Sequence, residues 1–221
     1  LMLYIMKQVK DENELKKILA TLESYIARRT ICKMTTKNYN NLFLGLLVEI
    51  KKWDTITSQK LLDKLLSYTE DTNIFPTDHQ VKNAVLGKAL INKYTREILY
   101  IISLYDLSDA KVDNHSLSLV GFSLEHLMPK KWQNKWDIPE SKESIDQNNY
   151  KLLTLGNLAL IKGSLNSKLR DSAWKNKRKE LETYSTLLRT RECLIKEVWD
   201  VNTINERGEK LYETIIKVWK Y

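Results

Sequence analysis

Apolar residues recur at the spacing of an α-helix through most of the first hundred residues of this chain. The chain has only 6 Gly and 3 Pro in 221 residues, and the turns of β-sandwiches and other loop-rich folds need these two residues. The sequence therefore predicts a mainly helical protein. Two of the helical series are Leu15, Ile18, Leu19, Leu22 and Ile26, and then Leu42, Phe43, Leu46, Leu47, Ile50 and Trp53.

The helical pattern is interrupted in the second half of the chain. Residues 158–161 form a short apolar run of strand length, and a charged helical segment is expected from Leu165 to about Tyr184. The polar stretch Ser141–Asn149 is expected to be a mobile loop. An earlier strand is predicted where apolar residues partly alternate with polar ones, at Leu117, Leu119, Phe122 and Leu124.

These patterns predict a helical domain that carries a small inserted ββα unit. We expect a helical lead-in region over 1–110, the ββα core over 111–184, and C-terminal helices over 185–221 that pack on that core. Two capping boxes are predicted, one at Thr77 and Gln80 and one at Thr203 and Glu206.

Composition excludes several kinds of site. The two cysteines, Cys32 and Cys193, form no CxxC pair, which argues against a disulfide framework and a cysteine zinc site. With only 3 histidines, a metal would depend on oxygen ligands, which favours Mg²⁺ over zinc.

No apolar run approaches the roughly 20 residues of a membrane span, and no signal peptide opens the chain. We therefore expect no membrane partner and a cytoplasmic location.

One set of polar residues could perform chemistry. Glu125 and His126 lie beside each other in the first predicted strand, Asn157 precedes the second strand, and Asn166 lies near the start of the following helix. Hydrolysis of a phosphodiester needs a base for water, which a histidine provides near neutral pH, and a cation that neutralises developing charge. Glu125 and Asn166 offer oxygen ligands to Mg²⁺, and the Asn157 amide could hold the loop that carries His126.

The same segments resemble a known nuclease family. The arrangement is similar to HNH (ββα-metal) nucleases and, more narrowly, to the C-terminal nuclease domain of GmrSD-type modification-dependent restriction enzymes and related anti-phage nickases. The matching stretches are SLEHLMPKKW (123–132), LGNLALI (155–161), LNSKL (165–169), WKNKRKEL (174–181) and INERGEKLYETIIKVW (204–219), with a helical lead-in at 22–43.

The resemblance implies a role for each motif residue. His126 matches the general base and Asn157 the central asparagine that orients the site. Glu125 and Asn166 match the metal ligands, for Mg²⁺ or alternatively Mn²⁺. The implied substrate is DNA, and modification-dependent enzymes of this family cut DNA that carries modified bases. The family's N-terminal nucleotide-binding sensor domain or subunit has no counterpart in this chain.

A basic segment follows the motif. Residues 150–180 contain eight Lys or Arg and two Asp or Glu, a large part of the chain's formal net charge of +8. Such runs are usually a solvated helix face, but beside a nuclease motif we interpret this one as a surface for DNA phosphates. The predicted DNA contacts are Lys130, Lys131, Lys162, Lys168, Arg170, Lys175 and Lys177.

Two other functions remain open from the sequence. The chain could be a non-catalytic nucleic-acid-binding module on the same scaffold, or a helical interaction domain whose basic face is incidental. For the adjacent Arg28 and Arg29, a structural role within the helices is favoured over a phosphate clamp. His79 and His115 are interpreted as structural.

Overall fold

A computed structural model describes residues 1–90, 94–109, 118–185 and 187–221. Its described residues are mainly helical, as predicted, with eleven α-helices and one small sheet. The elements, in chain order, are α1 (Met2–Gln8), α2 (Glu12–Ile31), α3 (Tyr39–Ile50), α4 (Ser58–Leu66), α5 (Asp78–Gly87), α6 (Thr95–Asp109), β1 (Phe122–His126), α7 (Lys142–Lys151), β2 (Leu158–Lys162), α8 (Gly163–Leu169), α9 (Trp174–Tyr184), α10 (Leu188–Arg191) and α11 (Val201–Val218).

The chain divides into two compact units, Leu1–Val81 with Ile216–Tyr221, and Lys82–Ile215. The first unit is built on the apolar faces that the sequence pattern predicts. The Thr77–Gln80 capping box is present, because the Thr77 amide donates to Gln80 Oε1 at 2.9 Å and the Gln80 amide donates to Thr77 Oγ1 at 3.3 Å. The buried core residues of this unit are Ile5, Ile18, Leu22, Tyr25, Leu42, Leu46, Ile50, Leu61, Leu65 and Phe75.

Arg28 and Arg29 are fully buried in the first unit. Arg28 forms an ion pair with Asp78 and donates to the carbonyl of Trp219 at 2.7 Å. Arg29 donates to the carbonyl of Ile74 at 2.7 Å and to two further carbonyls at Thr35 and Thr72. These contacts confirm the structural interpretation of the arginine pair, since neither guanidinium is available to a phosphate.

The second unit contains the sheet. Strands β1 and β2 pair antiparallel, with Phe122 opposite Lys162 and His126 opposite Leu158. Helix α8 follows β2 directly, and α6 and α10 also contact the sheet. This compact unit begins at Lys82, and α6, which lies before the ββα core predicted over 111–184, packs on both strands. The core is formed by Leu127, Met128, Trp132, Leu152, Ala159, Ile161, Leu165, Leu169, Trp174, Leu181, Cys193, Leu194, Trp199 and Ile204.

Two local predictions for this unit were wrong, and a third is refined. The stretch expected to be a mobile loop is helix α7, which the Ser141 side chain caps by accepting from the Ser144 amide at 3.1 Å. The segment expected to be helical from Leu165 to about Tyr184 is helical but divided into α8 and α9, with a break at Arg170, whose φ is 42°. The last helix is capped by Asp200, whose carboxylate accepts from the Thr203 amide at 2.8 Å, and not by a Thr203–Glu206 box.

His115, interpreted as structural, and Leu117, placed in the first predicted strand, lie outside the described residues. Among the helices that the structure describes, none combines the length and the apolar character that crossing a bilayer requires.

Candidate active site

Glu125 and His126 occupy the last two positions of β1. Adjacent strand residues point to opposite faces of a sheet, so their side chains diverge while β1 remains regular. The strand ends at His126, where the Leu127 amide donates to the carbonyl of Asn157 at 3.0 Å. His126 therefore lies at the junction between the sheet and the turn that continues into Met128 and Pro129.

Asn157 holds this turn from inside the core. Its side chain is fully buried and bonds both backbone groups of Met128: Nδ2 donates to the carbonyl at 2.8 Å, and Oδ1 accepts from the amide at 2.8 Å. Nδ2 also donates to the Leu152 carbonyl at 2.9 Å, and Oδ1 also accepts from the Trp199 indole N–H at 2.9 Å. The structure thus places this amide where it can orient the segment after His126.

The turn that carries Asn157 is itself fixed by α11. Gly156 lies so close to this helix that a Cβ there would come within 2.2 Å of the Ile204 carbonyl oxygen. Arg207 donates to the carbonyls of Gly156 and Leu158, each at 2.8 Å. Any side chain at position 156 would push the turn away from α11, which explains the glycine.

Glu125 forms a buried ion pair with Lys177 of α9. The two residues are 5% and 0% exposed, so bulk water solvates neither charge well. Burial raises the pKa of Glu125, and the Lys177 ammonium opposes that shift. Burial lowers the pKa of Lys177, and the carboxylate opposes this in turn. Lys177 Nζ also donates to the backbone carbonyl of His126 at 2.7 Å.

The imidazole of His126 is held neutral at physiological pH. Burial lowers its pKa to about 4, and the charges of Lys130 and Lys177 add to the effect. Its Nε2 is buried and has no hydrogen-bond partner among the described residues. A buried polar atom without a partner costs free energy, so a hydrogen-bond donor that reached this nitrogen would be bound favourably.

Asn166 lies in α8 and bonds back to β1. Its Nδ2 donates to Ser123 Oγ at 3.0 Å and to the Leu124 carbonyl at 3.0 Å. Ser123 and Glu125 are two residues apart on the strand and therefore share a face. The structure thus brings the Asn166 amide to the face of β1 that carries Glu125, and the amide oxygen is not used in these two bonds.

The two candidate metal ligands, Glu125 and Asn166, offer the oxygen atoms that Mg²⁺ binds, but one contact of Glu125 conflicts with this role. Among the residues that the structure describes, no three His, Cys, Asp or Glu side chains form a group that could hold a metal ion. Mg²⁺ commonly takes only one or two protein oxygens and keeps several waters, which a carboxylate and an amide oxygen satisfy. The conflict is that Lys177 already supplies a cation to Glu125.

Six of the seven predicted DNA contacts are exposed, and one prediction needs correction. Lys177 is 0% exposed, because it shares the buried stripe of α9 with Trp174 and Leu181. It therefore cannot meet a DNA phosphate at the surface. The exposed residues are Lys130, Lys131, Lys162, Lys168, Arg170 and Lys175.

The structural roles of Lys177, Trp199 and Arg207 were not predicted from the sequence. For Lys177 a signal exists, since positions 174, 177 and 181 have helical spacing and two of them are apolar. Trp199 and Arg207 reach the site from the C-terminal part of the unit, and their bonds to Asn157 and its turn span 42 to 52 residues of sequence. No local pattern indicates contacts of that separation.

Comparison with known protein families gives a match. A family model described as GmrSD restriction endonucleases, C-terminal domain, matches residues 75–214, which is more than half of the chain. No curated protein and no solved structure matches significantly. The matched range contains Glu125, His126, Asn157 and Asn166.

Proposed function

The chain belongs to the C-terminal domain family of the GmrSD restriction endonucleases, and from that premise we propose that it is a Mg²⁺-dependent HNH endonuclease domain that nicks DNA. Strands β1 and β2 with helix α8 would form its ββα-metal motif. The domain would be the effector part of a restriction or anti-phage protein whose nucleotide-binding sensor lies in another domain or subunit.

The observation that carries this proposal is the support around His126. Asn157 fixes both backbone groups of Met128 on one side, while Lys177 bonds the carbonyl of His126 itself. Next to these fixed points lies a neutral imidazole whose Nε2 has no partner among the described residues. A firmly held, unprotonated imidazole meets one requirement of a general base. The second requirement, a pKa near the working pH, is not met while burial holds the pKa of His126 at about 4.

In the proposed reaction, His126 takes a proton from the water that attacks the phosphorus atom. The bond from phosphorus to the 3′ oxygen breaks, and the leaving oxygen takes a proton from solvent, which gives the 5′-phosphate and 3′-hydroxyl ends that the family resemblance implies. Glu125 and Asn166 would hold Mg²⁺, which when bound supplies positive charge to the phosphate and the leaving oxygen. Asn157 keeps the His126 turn in place, and one such site cuts one strand per event.

The test is supercoiled plasmid incubated with the chain and Mg²⁺, Mn²⁺ or EDTA. We expect open-circular plasmid with either metal and none with EDTA. A salt-dependent gel shift without nicking would favour the non-catalytic binding module, and the absence of both would favour a helical interaction domain.

Asn166 gives a prediction on the metal. Replacing Asn166 with alanine should raise the Mg²⁺ concentration needed for half-maximal nicking about tenfold, because the variant has one oxygen ligand fewer, and excess metal should offset the weaker coordination by mass action. The matched control is Asn176→Ala, which removes an exposed amide from α9. An unchanged metal requirement in Asn166→Ala would contradict its role as a ligand.

Lys130 and Lys131 give a prediction on DNA binding. Both are exposed and follow the His126 turn, and Lys130 lies close enough to His126 to help lower its pKa. Replacing both with glutamine should reduce the slope of log affinity against log salt by about 0.9 for each phosphate that the variant no longer binds. Lys142→Gln, at an exposed position of α7, is the control. A slope equal to that of the wild type would place the DNA elsewhere.

A further inference from the structure

Lys177 occupies a position that lysine rarely tolerates. Its side chain is 0% exposed and lies between Trp174 and Leu181 on the buried stripe of α9. Removing an ammonium from water is unfavourable unless it is paired and hydrogen-bonded. A leucine or methionine at this position would avoid that cost, so the ammonium calls for a reason other than packing.

Two polar partners of Lys177 lie at the end of one strand. Its Nζ pairs with the carboxylate of Glu125 and donates to the carbonyl of His126 at 2.7 Å. One ammonium thus joins the side chain of the penultimate residue of β1 to the backbone of the last. A buried ion pair alone is weak support for stability, because apolar replacement of both partners is often neutral or stabilising. The backbone bond to His126 is what such a replacement would remove.

We infer that Lys177 is a positioning residue of the proposed nuclease site, which fixes the backbone of His126 and the carboxylate of Glu125 relative to each other. This inference rests on the proposed function. Lys177 holds the His126 carbonyl, and Asn157 holds the next segment through Met128. The backbone that carries the imidazole is therefore held at the His126 carbonyl and again at Met128 two residues later, with no part of Lys177 exposed to substrate.

The consequence is kinetic. A displacement of about 1 Å in a reacting group can slow an enzyme about 10²-fold. Substitution of Lys177 leaves the exposed lysines that would bind DNA in place. Lys177→Met keeps an unbranched side chain of similar length and removes the charge and the donors. We expect kcat for plasmid nicking to fall about 10²-fold, with the KM for plasmid within about twofold of the wild type.

The matched control is Lys142→Met, an exposed position of α7 outside the basic segment. Its kcat should equal that of the wild type. A folded Lys177→Met variant with wild-type kcat would overturn the inference, as would a KM that rises while kcat is retained. If the wild-type chain does not nick at all, the proposed function fails instead, and the next measurement still tests Lys177.

That measurement is the His126 ring signal in ¹H–¹⁵N NMR spectra, assigned by comparison with a His126→Ala variant among only 3 histidines. The ring signal should move or broaden in Lys177→Met but not in Lys142→Met. If the unpaired Glu125 prevents Lys177→Met from folding, the double variant Glu125→Gln/Lys177→Met removes both charges. Its His126 signal should differ from that of Glu125→Gln alone. Identical signals in those two variants would show that Lys177 does not position His126.

Discussion

Replacing His126 with alanine is expected to slow plasmid nicking about 10²–10⁴-fold, the usual cost of removing a general base. The imidazole is the proposed proton acceptor, and its Nε2 is the buried nitrogen without a partner among the described residues. Because removing that nitrogen breaks no hydrogen bond there, the substitution should leave stability almost unchanged. Plasmid affinity in a gel shift should also be retained, since the exposed lysines remain.

The control for this variant is His79→Ala, which removes an exposed histidine of the first unit and should nick at the wild-type rate. Both variants should be compared at the same Mg²⁺ concentration and after their thermal unfolding has been measured. Equal nicking by His126→Ala and the wild type would remove His126 from the reaction. Loss of plasmid binding together with nicking would instead indicate that His126 acts in binding.

The helices and the second strand were accessible from the sequence for the same physical reason. Buried faces repeat with the period of the secondary structure, so the stripes around Leu22 and Leu46 predict α2 and α3, and the run at 158–161 predicts β2. The family resemblance indicates which residues of the ββα region are candidates for the active site. The family match over 75–214 agrees with that resemblance. The roles of the four motif residues, His126, Asn157, Glu125 and Asn166, remain predictions.

The departures come from interactions that periodicity does not describe. Helix α7 is strongly polar, so it shows little apolar stripe, and its start depends on the Ser141 cap. The break between α8 and α9 depends on a positive φ at Arg170, a conformation that side chains other than glycine adopt infrequently. The charge of Lys177 groups it with its basic neighbours in the sequence, although its helical position places it on the apolar face.

Asn157→Ala is expected to have the largest effect on stability, about 4 kcal/mol in the free energy of unfolding, because each buried polar group without a partner costs about 1–3 kcal/mol. The alanine would leave four groups unpaired: the amide and the carbonyl of Met128, the carbonyl of Leu152 and the indole N–H of Trp199. Four unpaired groups at about 1 kcal/mol each, the lower end of that range, give the expected loss of about 4 kcal/mol. Chemical denaturation monitored by tryptophan fluorescence would measure it.

The control for that experiment is Asn149→Ala. Asn149 is exposed, and its Oδ1 accepts from the Trp132 indole N–H at 2.9 Å, so its removal should cost about 1 kcal/mol. Nicking separates a positioning role from stability alone: at a temperature where Asn157→Ala is still folded, its rate should fall about 10²-fold because the His126 turn is released, whereas Asn149→Ala should nick normally. If folded Asn157→Ala nicks at the wild-type rate, then Asn157 supports the core and does not orient His126.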